Sequence, residues 1–150
     1  MYQMLIQSPV GPLTLTGTDR ALARVAFGDV REGMDAPSPV LEQTARELEE
    51  YFAGRRREFT VPLEPEGTDF QRKVWAALEE IPYGTTASYK DIAVRVGKPG
   101  AAIAVGQANS RNPIPIIIPC HRVIGANGKM VGYTGGMHIK EALLTVEGIR

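Results

Sequence analysis

The chain has 150 residues, 43% apolar and 23% charged, with seventeen Lys/Arg against seventeen Asp/Glu. These proportions suit a soluble globular protein, of one ordinary domain or two small ones sharing a core. No basic-then-apolar leader opens it and no apolar run is long enough to span a bilayer, so a cytoplasmic protein that does not engage membranes is expected. Cys120 is the only cysteine. It has no partner for an intramolecular disulfide, and one thiolate does not make a structural zinc site. The zero net charge hides an asymmetry: residues 1–67 carry seven Lys/Arg against eleven Asp/Glu, residues 68–150 ten against six. Chance accounts for so small a difference about as well as a second half that faces a polyanion.

Short strands come first. Tyr2 to Gln7 meets a turn at Ser8-Pro9-Val10-Gly11-Pro12, Leu13 to Thr16 alternates with period two, and Leu22 to Phe27 again reads as strand. An antiparallel meander is expected. Ser38 as N-cap and Pro39 at the first helical position open a helix with Leu41, Ala45, Leu48 and Phe52 on one face, ended by Gly54. The run Arg55-Arg56-Arg57 after it reads as a solvated, dipole-compensating end. Residues 1–61 then form an N-terminal sheet-and-helix domain, and 62–67, with Pro62 and Pro65, a linker.

Residues 68–150 open with Thr68-x-x-Gln71, a capping box before Phe70, Val74, Leu78 and Ile81. Tyr83-Gly84 breaks that helix. Ser88-x-x-Asp91 starts another, through Tyr89, Ile92, Ala93 and Val96; after the turn Gly97-Lys98-Pro99-Gly100 an alanine-rich segment runs from Ala101 to Ser110. Two short helices about a glycine-containing turn fit a helix-turn-helix, although many such hairpins bind nothing. Asn127-Gly128, between Val123-Ile124 and Met130-Val131, predicts a hairpin placed like the wing of a winged helix. A last helix passes through Ile139, Leu143 and Val146 and is closed by Gly148. The expected fold class is α+β.

Chemistry concentrates at Cys120. The apolar run Ile114 to Pro119 reads as a short buried segment presenting the thiol at the rim of a core. A thiol at its ordinary pKa is mostly protonated near neutrality and needs a base to become a good nucleophile. His121 is adjacent, but neighbours in extended chain point to opposite sides, so a bridging water is one route. An imidazole base is commonly oriented by a carboxylate. Glu147, on the last turn of the final helix where the macrodipole disfavours negative charge, is one candidate; His138 and Glu141 are rivals.

Asn112-Pro113-x-Pro115-x-x-x-Pro119-Cys120-His121-Arg122-Val123 resembles the active-site signature of the O6-alkylguanine-DNA alkyltransferases, the methylated-DNA–protein-cysteine methyltransferase family. The likeness continues through Pro82-Tyr83-Gly84, Ser88-Tyr89, Val105-Gly106, Tyr133-Thr134-Gly135-Gly136, Lys140-Glu141 and Leu143-Leu144-x-x-Glu147-Gly148, covering essentially all of residues 68–150. The N-terminal third matches only loosely.

The resemblance implies direct-reversal repair. Cys120 would take the alkyl group from guanine O6 once and irreversibly, as a suicide methyltransferase. His121 would act as base through water, Glu147 would orient it, Asn112 would hold the turn beneath the segment, and Tyr89 would donate a proton to the leaving guanine. Pro115, Met130, Tyr133 and Thr134 would form the substrate pocket, with Thr134 donating to guanine O6. Ser88, Ala101, Ala102, Ile103, Gly106 and Arg122 would meet DNA. The implied partner is double-stranded DNA carrying O6-alkylguanine, bound through the minor groove with the base flipped out by a monomer. No P-loop or dinucleotide fingerprint is present, and neither a cofactor nor a metal is expected. One position departs from the pattern: where the family normally has an arginine that enters the duplex, this chain has Ile103. Weaker action on duplex DNA with intact chemistry on a small substrate is the expectation. A non-catalytic alkyltransferase-like lesion-binding protein is the alternative, but such proteins replace the cysteine that this chain keeps. A plain winged-helix binding module with a silent core thiol is a third reading.

Overall fold

The structure is a computed structural model, and it describes residues 1–125, 133 and 135–150. Met130, Thr134 and the hairpin expected at Asn127-Gly128 lie outside the described residues. The fold is α+β. The chain divides into two compact units, Met1–Glu66 and Gly67–Arg150.

The first unit holds an antiparallel sheet of β1 (Tyr2–Ile6), β2 (Leu13–Gly17) and β3 (Leu22–Phe27), in that spatial order. Met4 pairs with Leu15 and Leu15 with Val25, so β2 is central. Leu13 and Leu15 are fully buried, as period two requires. Thr14, on the alternate face, is buried as well, because its hydroxyl donates to the Gly28 carbonyl at 2.8 Å and accepts from the Val30 amide at 3.0 Å.

Helix α1 (Pro39–Phe52) starts where Ser38 Oγ accepts from the Leu41 amide. Its buried side is Val40, Leu41, Thr44, Glu47, Leu48 and Tyr51, whereas Ala45 and Phe52, expected on the core stripe, are half-buried. The stripe is rotated because two polar residues on it find partners. Thr44 donates to the Val40 carbonyl, and Glu47 accepts from Thr60 N (2.7 Å), Thr60 Oγ1 (2.6 Å), Val61 N (3.3 Å) and Gln43 Nε2 (2.9 Å). Beyond the helix, Arg56 pairs with Glu50 at 2.8 Å. The segment expected as a linker begins knitted to the sheet: Leu22 N donates to Pro62 O and Glu64 N to Leu22 O, both at 2.8 Å.

The second unit contains α2 (Asp69–Glu79), β4 (Ala87–Ser88), α3 (Tyr89–Arg95), α4 (Ala102–Ser110), a single 3-10 turn (Cys120–Arg122), β5 (Val123–Ile124) and α5 (Met137–Val146). Capping boxes Thr68/Gln71 and Ser88/Asp91 start α2 and α3. The core gathers Val74, Trp75, Leu78, Ile92, Val105, Ile114, Ile116, Ile118, Val123, Leu143 and Leu144. Trp75 donates from Nε1 to the Ala108 carbonyl at 2.8 Å, bracing α2 on α4. A Cβ at Gly67 would lie 2.4 Å from the Trp75 ring, so this position accepts only glycine without movement. β5 pairs in parallel with β4, Ala87 facing Val123 and Ser88 facing Ile124. That pairing fixes the start of α3 beside the chain leaving Cys120, a link the sequence pattern did not reveal.

Glu47 yields a stability prediction. Burial works to raise its pKa, but the hydrogen bonds from Thr60, Gln43 and Val61 outweigh that and hold it below the ordinary carboxylate value. The folded pKa is depressed, so the contribution is complete above the unfolded pKa and is lost as pH falls through the folded one. Glu47→Ala leaves the buried Val61 amide without its acceptor and removes the bonds from Thr60 and Gln43, and is expected to cost about 1–3 kcal/mol at neutral pH, read from the urea midpoint.

Candidate active site

The position of Cys120 is set by Asn112, just past the end of α4. Its Oδ1 accepts from Ile114 N at 3.0 Å and its Nδ2 donates to Ile118 O at 2.7 Å, closing residues 112–118 into a compact loop. Ile118 N donates to Ile114 O across the same loop. Within it Ile116 adopts φ +75°, a left-handed conformation costly for a β-branched side chain. Ile114, Ile116 and Ile118 are fully buried, and this packing holds the strained turn in place.

The chain then enters the 3-10 turn, with Cys120 N on Ile118 O and Arg122 N on Pro119 O. The turn replaces the extended geometry anticipated for Cys120-His121, and it sends both His121 and Arg122 toward Glu147. Glu147 is the C-cap of α5 and its side chain is fully buried. His121 Nε2 lies 2.6 Å from Oε2; Arg122 donates from Nε to Oε1 at 2.8 Å and from Nη2 to Oε2 at 3.1 Å; Gly84 N donates to Oε1 at 3.2 Å. The helix-end penalty on this carboxylate is thus offset by a guanidinium, an imidazole and a backbone amide. The rivals His138 and Glu141 are exposed.

Arg122, expected at the DNA, is instead buried at 6% exposure, with Nη1 on the Ile81 carbonyl at 2.7 Å and its guanidinium over the Tyr83 ring. All of its visible donors serve the site, because an arginine following a turn residue can fold back where an extended one cannot. Tyr83 OH also reaches the Val146 carbonyl at 3.1 Å. The Pro82-Tyr83-Gly84 turn and Arg122 together lock the end of α5.

Around the thiol, burial pushes the Cys120 pKa up, while hydrogen bonds from Asn112 and Tyr133 and the charge of Lys140 pull the other way. Lys140 is fully buried, with Nζ donating to Val123 O at 2.7 Å. Burial lowers the Lys140 pKa and a Cys120 thiolate raises it, so the two favour each other's charge. Sequence reasoning assigned no role to Lys140. Its spacing was informative: Lys140, Leu143 and Leu144 share the buried face of α5, where a lysine is out of place without a partner. Asn109 was missed likewise, on the buried face of α4 with Val105 and Ala108; it donates from Nδ2 to the Cys120 carbonyl at 3.4 Å.

Tyr89, at the first turn of α3, is half-buried, its pKa raised by burial and by proximity to Cys120. A Cβ at Gly106 would sit 3.7 Å from the Tyr89 ring, an ordinary contact distance, so α4 runs directly beside that ring. Pro115 is buried in the loop under the thiol. Ser88 is engaged in capping α3. Ala101 and Ala102 are half-buried, and Ile103 is 82% exposed on the first turn of α4. Among the described residues no group of His, Cys, Asp and Glu is placed to hold a metal ion, and no helix is long and apolar enough to cross a membrane.

Comparison with known proteins gives the family. Residues 69–149 match the 6-O-methylguanine DNA methyltransferase DNA-binding domain, and residues 1–65 the ribonuclease-like domain of the same proteins. A methylated-DNA–protein-cysteine methyltransferase of Methanosarcina barkeri is 51% identical over 98% of this chain and 97% of its own. The crystal structure of Mycobacterium tuberculosis OGT in complex with DNA superposes with a TM-score of 0.90 at 49% identity, covering 98% of this chain and 92% of that one. S. pombe Atl1, in a complex with damaged DNA containing O6-carboxymethylguanine, is more distant: TM-score 0.51 and 34% identity, covering 57% of this chain and 81% of that one. The chain belongs to the 6-O-methylguanine DNA methyltransferase family.

The imidazole of His121 provides a direct check on the site. Burial, then the Glu147 partner working against it, then the charges of Arg122 and Lys140 leave its pKa below the ordinary histidine value. It is therefore expected to stay neutral as pH falls through about 6.5, where a free histidine gains its proton. Nitrogen-15 NMR of the two ring nitrogens reads this, with Nε2 carrying the hydrogen; protonation at or above that pH contradicts it.

Proposed function

We propose that this protein repairs O6-alkylguanine in DNA by direct reversal, as a methylated-DNA–protein-cysteine methyltransferase, with Cys120 as the single-use acceptor. The observation that carries the reading is the buried 2.6 Å His121–Glu147 pair beside the only thiol of the chain. In the reaction the thiol gives its proton, through a water, to Nδ1 of His121, whose Nε2–H is held by Glu147. The sulfur attacks the alkyl carbon in line, the carbon–O6 bond breaks, and the guanine anion takes a proton from Tyr89. The product is S-alkylcysteine. No second cysteine exists to resolve the thioether, so each molecule acts once. Lys140 stabilises the developing thiolate, and Arg122 keeps Glu147 aimed at His121. Pro115 and Tyr133 wall the pocket; the family pattern assigns Met130 and Thr134 to it as well, Thr134 as a donor to guanine O6.

The protein binds DNA, through the helix pair α3–α4. The route is the minor groove, with the alkylated nucleotide flipped out by a monomer, because an O6-alkyl group inside the stack is out of reach and extrusion costs only a few kcal/mol. Ala101, Ala102 and Gly106 are small enough to let α4 approach the sugar-phosphate edge closely, and phosphate contact makes binding salt-dependent. Ile103 would be the side chain that props the duplex open as an apolar wedge, without the charge or donors of an arginine. The lesion-binding alternative is disfavoured because Cys120 is present with its base.

Incubation with O6-benzylguanine is expected to add one benzyl group per chain, located on Cys120 by peptide mass mapping, and Cys120→Ser is expected to abolish the adduct while retaining DNA binding. No adduct with O6-benzylguanine and none with a strand carrying O6-methylguanine would turn the assignment to lesion binding. Ile103→Arg is expected to speed transfer from duplex DNA by about tenfold or more, on the order of one added charge-assisted contact, and to leave the rate on the free base unchanged. Equal rates on duplex DNA would remove Ile103 from the DNA interface.

A further inference from the structure

Beside Cys120, the buried His121 Nδ1 and Asn109 Oδ1 make no hydrogen bond to any described residue. Asn109 is 5% exposed and His121 fully buried. A buried amide oxygen without a partner costs on the order of 1–3 kcal/mol and in native proteins is matched by a donor, often an ordered water. The orientation of the amide is fixed. Nδ2 donates to the Cys120 carbonyl, and turning the group over would set two oxygens against each other. Asn109 Oδ1 is thus the far end of an amide docked on the Cys120–His121 peptide, and Nδ1 belongs to the residue that this peptide leads into.

A relay water between thiol and imidazole has one lone pair to take the thiol proton and two hydrogens to place. One goes to Nδ1. The other needs an acceptor, since a water free to turn spends little time with its lone pair toward sulfur, and buried waters generally make about three hydrogen bonds. We infer that Asn109 is a positioning residue of the transfer reaction, whose Oδ1 accepts the second hydrogen of the water through which His121 Nδ1 draws the proton of Cys120. The proton count closes: the S–H proton passes to the water oxygen as a water proton passes to Nδ1, leaving thiolate, imidazolium and an unchanged water. The inference rests on the reading of His121 as a base acting through water, and it adds the residue that makes that water directional.

Asn109→Leu keeps the side chain near its native size and removes the acceptor. With free O6-benzylguanine as substrate, the variant is expected to transfer at least about tenfold more slowly than the wild type at pH 7, a small part of what general-base catalysis supplies. The discriminating readout is the pH profile. As pH rises and Cys120 ionises without help, the deficit should shrink, because a preformed thiolate needs no relay. The charged and titratable groups around Cys120 and His121 are Glu147, Arg122, Lys140, Tyr89 and Tyr133; they are present in both proteins, so their effect cancels in the ratio of rates. A purely structural role for Asn109, through the Cys120 carbonyl, predicts the same factor at every pH, and that result overturns the inference, as does an unchanged rate at pH 7. Asn109→Ala is read by the same ratio if the leucine variant does not fold. Absence of transfer by the wild type would instead count against the assigned reaction, so the two failures are distinguishable.

Discussion

A single buried carboxylate organises the second unit. Glu147 receives hydrogen bonds from Arg122, the backbone of Gly84 and the imidazole of His121. These donors come from two segments far apart in sequence, and Glu147 itself caps α5. Burying a carboxylate is unfavourable unless its lone pairs are met, and here the groups that meet them join the 3-10 turn and the Gly84 turn to the end of α5. The interaction that holds the end of α5 in place also holds the imidazole, so a loosened helix end and a disoriented His121 are the same event.

A second constraint acts on the nucleophile from the other side. The loop closed by Asn112 places an isoleucine at positive φ inside a fully apolar cluster, and the next residues wind into one 3-10 turn. The turn lets adjacent side chains do different jobs: Cys120 faces Asn112, Tyr133 and Lys140, whereas His121 and Arg122 reach back to Glu147. In extended chain the same three residues would alternate faces, and no single carboxylate could hold the second and third.

Much of this was legible in the sequence. The meander, Ser38-Pro39, both capping boxes and Gly148 are local signals, each decided by atoms within a few residues, and the elements formed where those signals placed them. The pairing of His121 with Glu147, which the resemblance implied, is present at 2.6 Å. What escaped was nonlocal or disguised by residue type. The β4–β5 pairing joins two-residue strands too short to show a period. Glu47 and Lys140 lie on buried helix faces, where a charged residue reads as an interruption until its partners are known. Arg122 was placed at the DNA by the resemblance alone; only the fold shows its donors turned inward, to Glu147 and the Ile81 carbonyl.

The separation of 26 residues between His121 and Glu147 has a bearing on synthesis. Chains emerge from the ribosome N-terminus first. A nascent chain that has emerged only through the 3-10 turn already exposes its thiol, but the carboxylate that aims the imidazole and the lysine that favours the thiolate are both still to come. The surroundings of the sulfur are therefore completed last, when α5 docks and brings Glu147 to His121 and Lys140 to the Val123 carbonyl, so the end of the chain assembles the site.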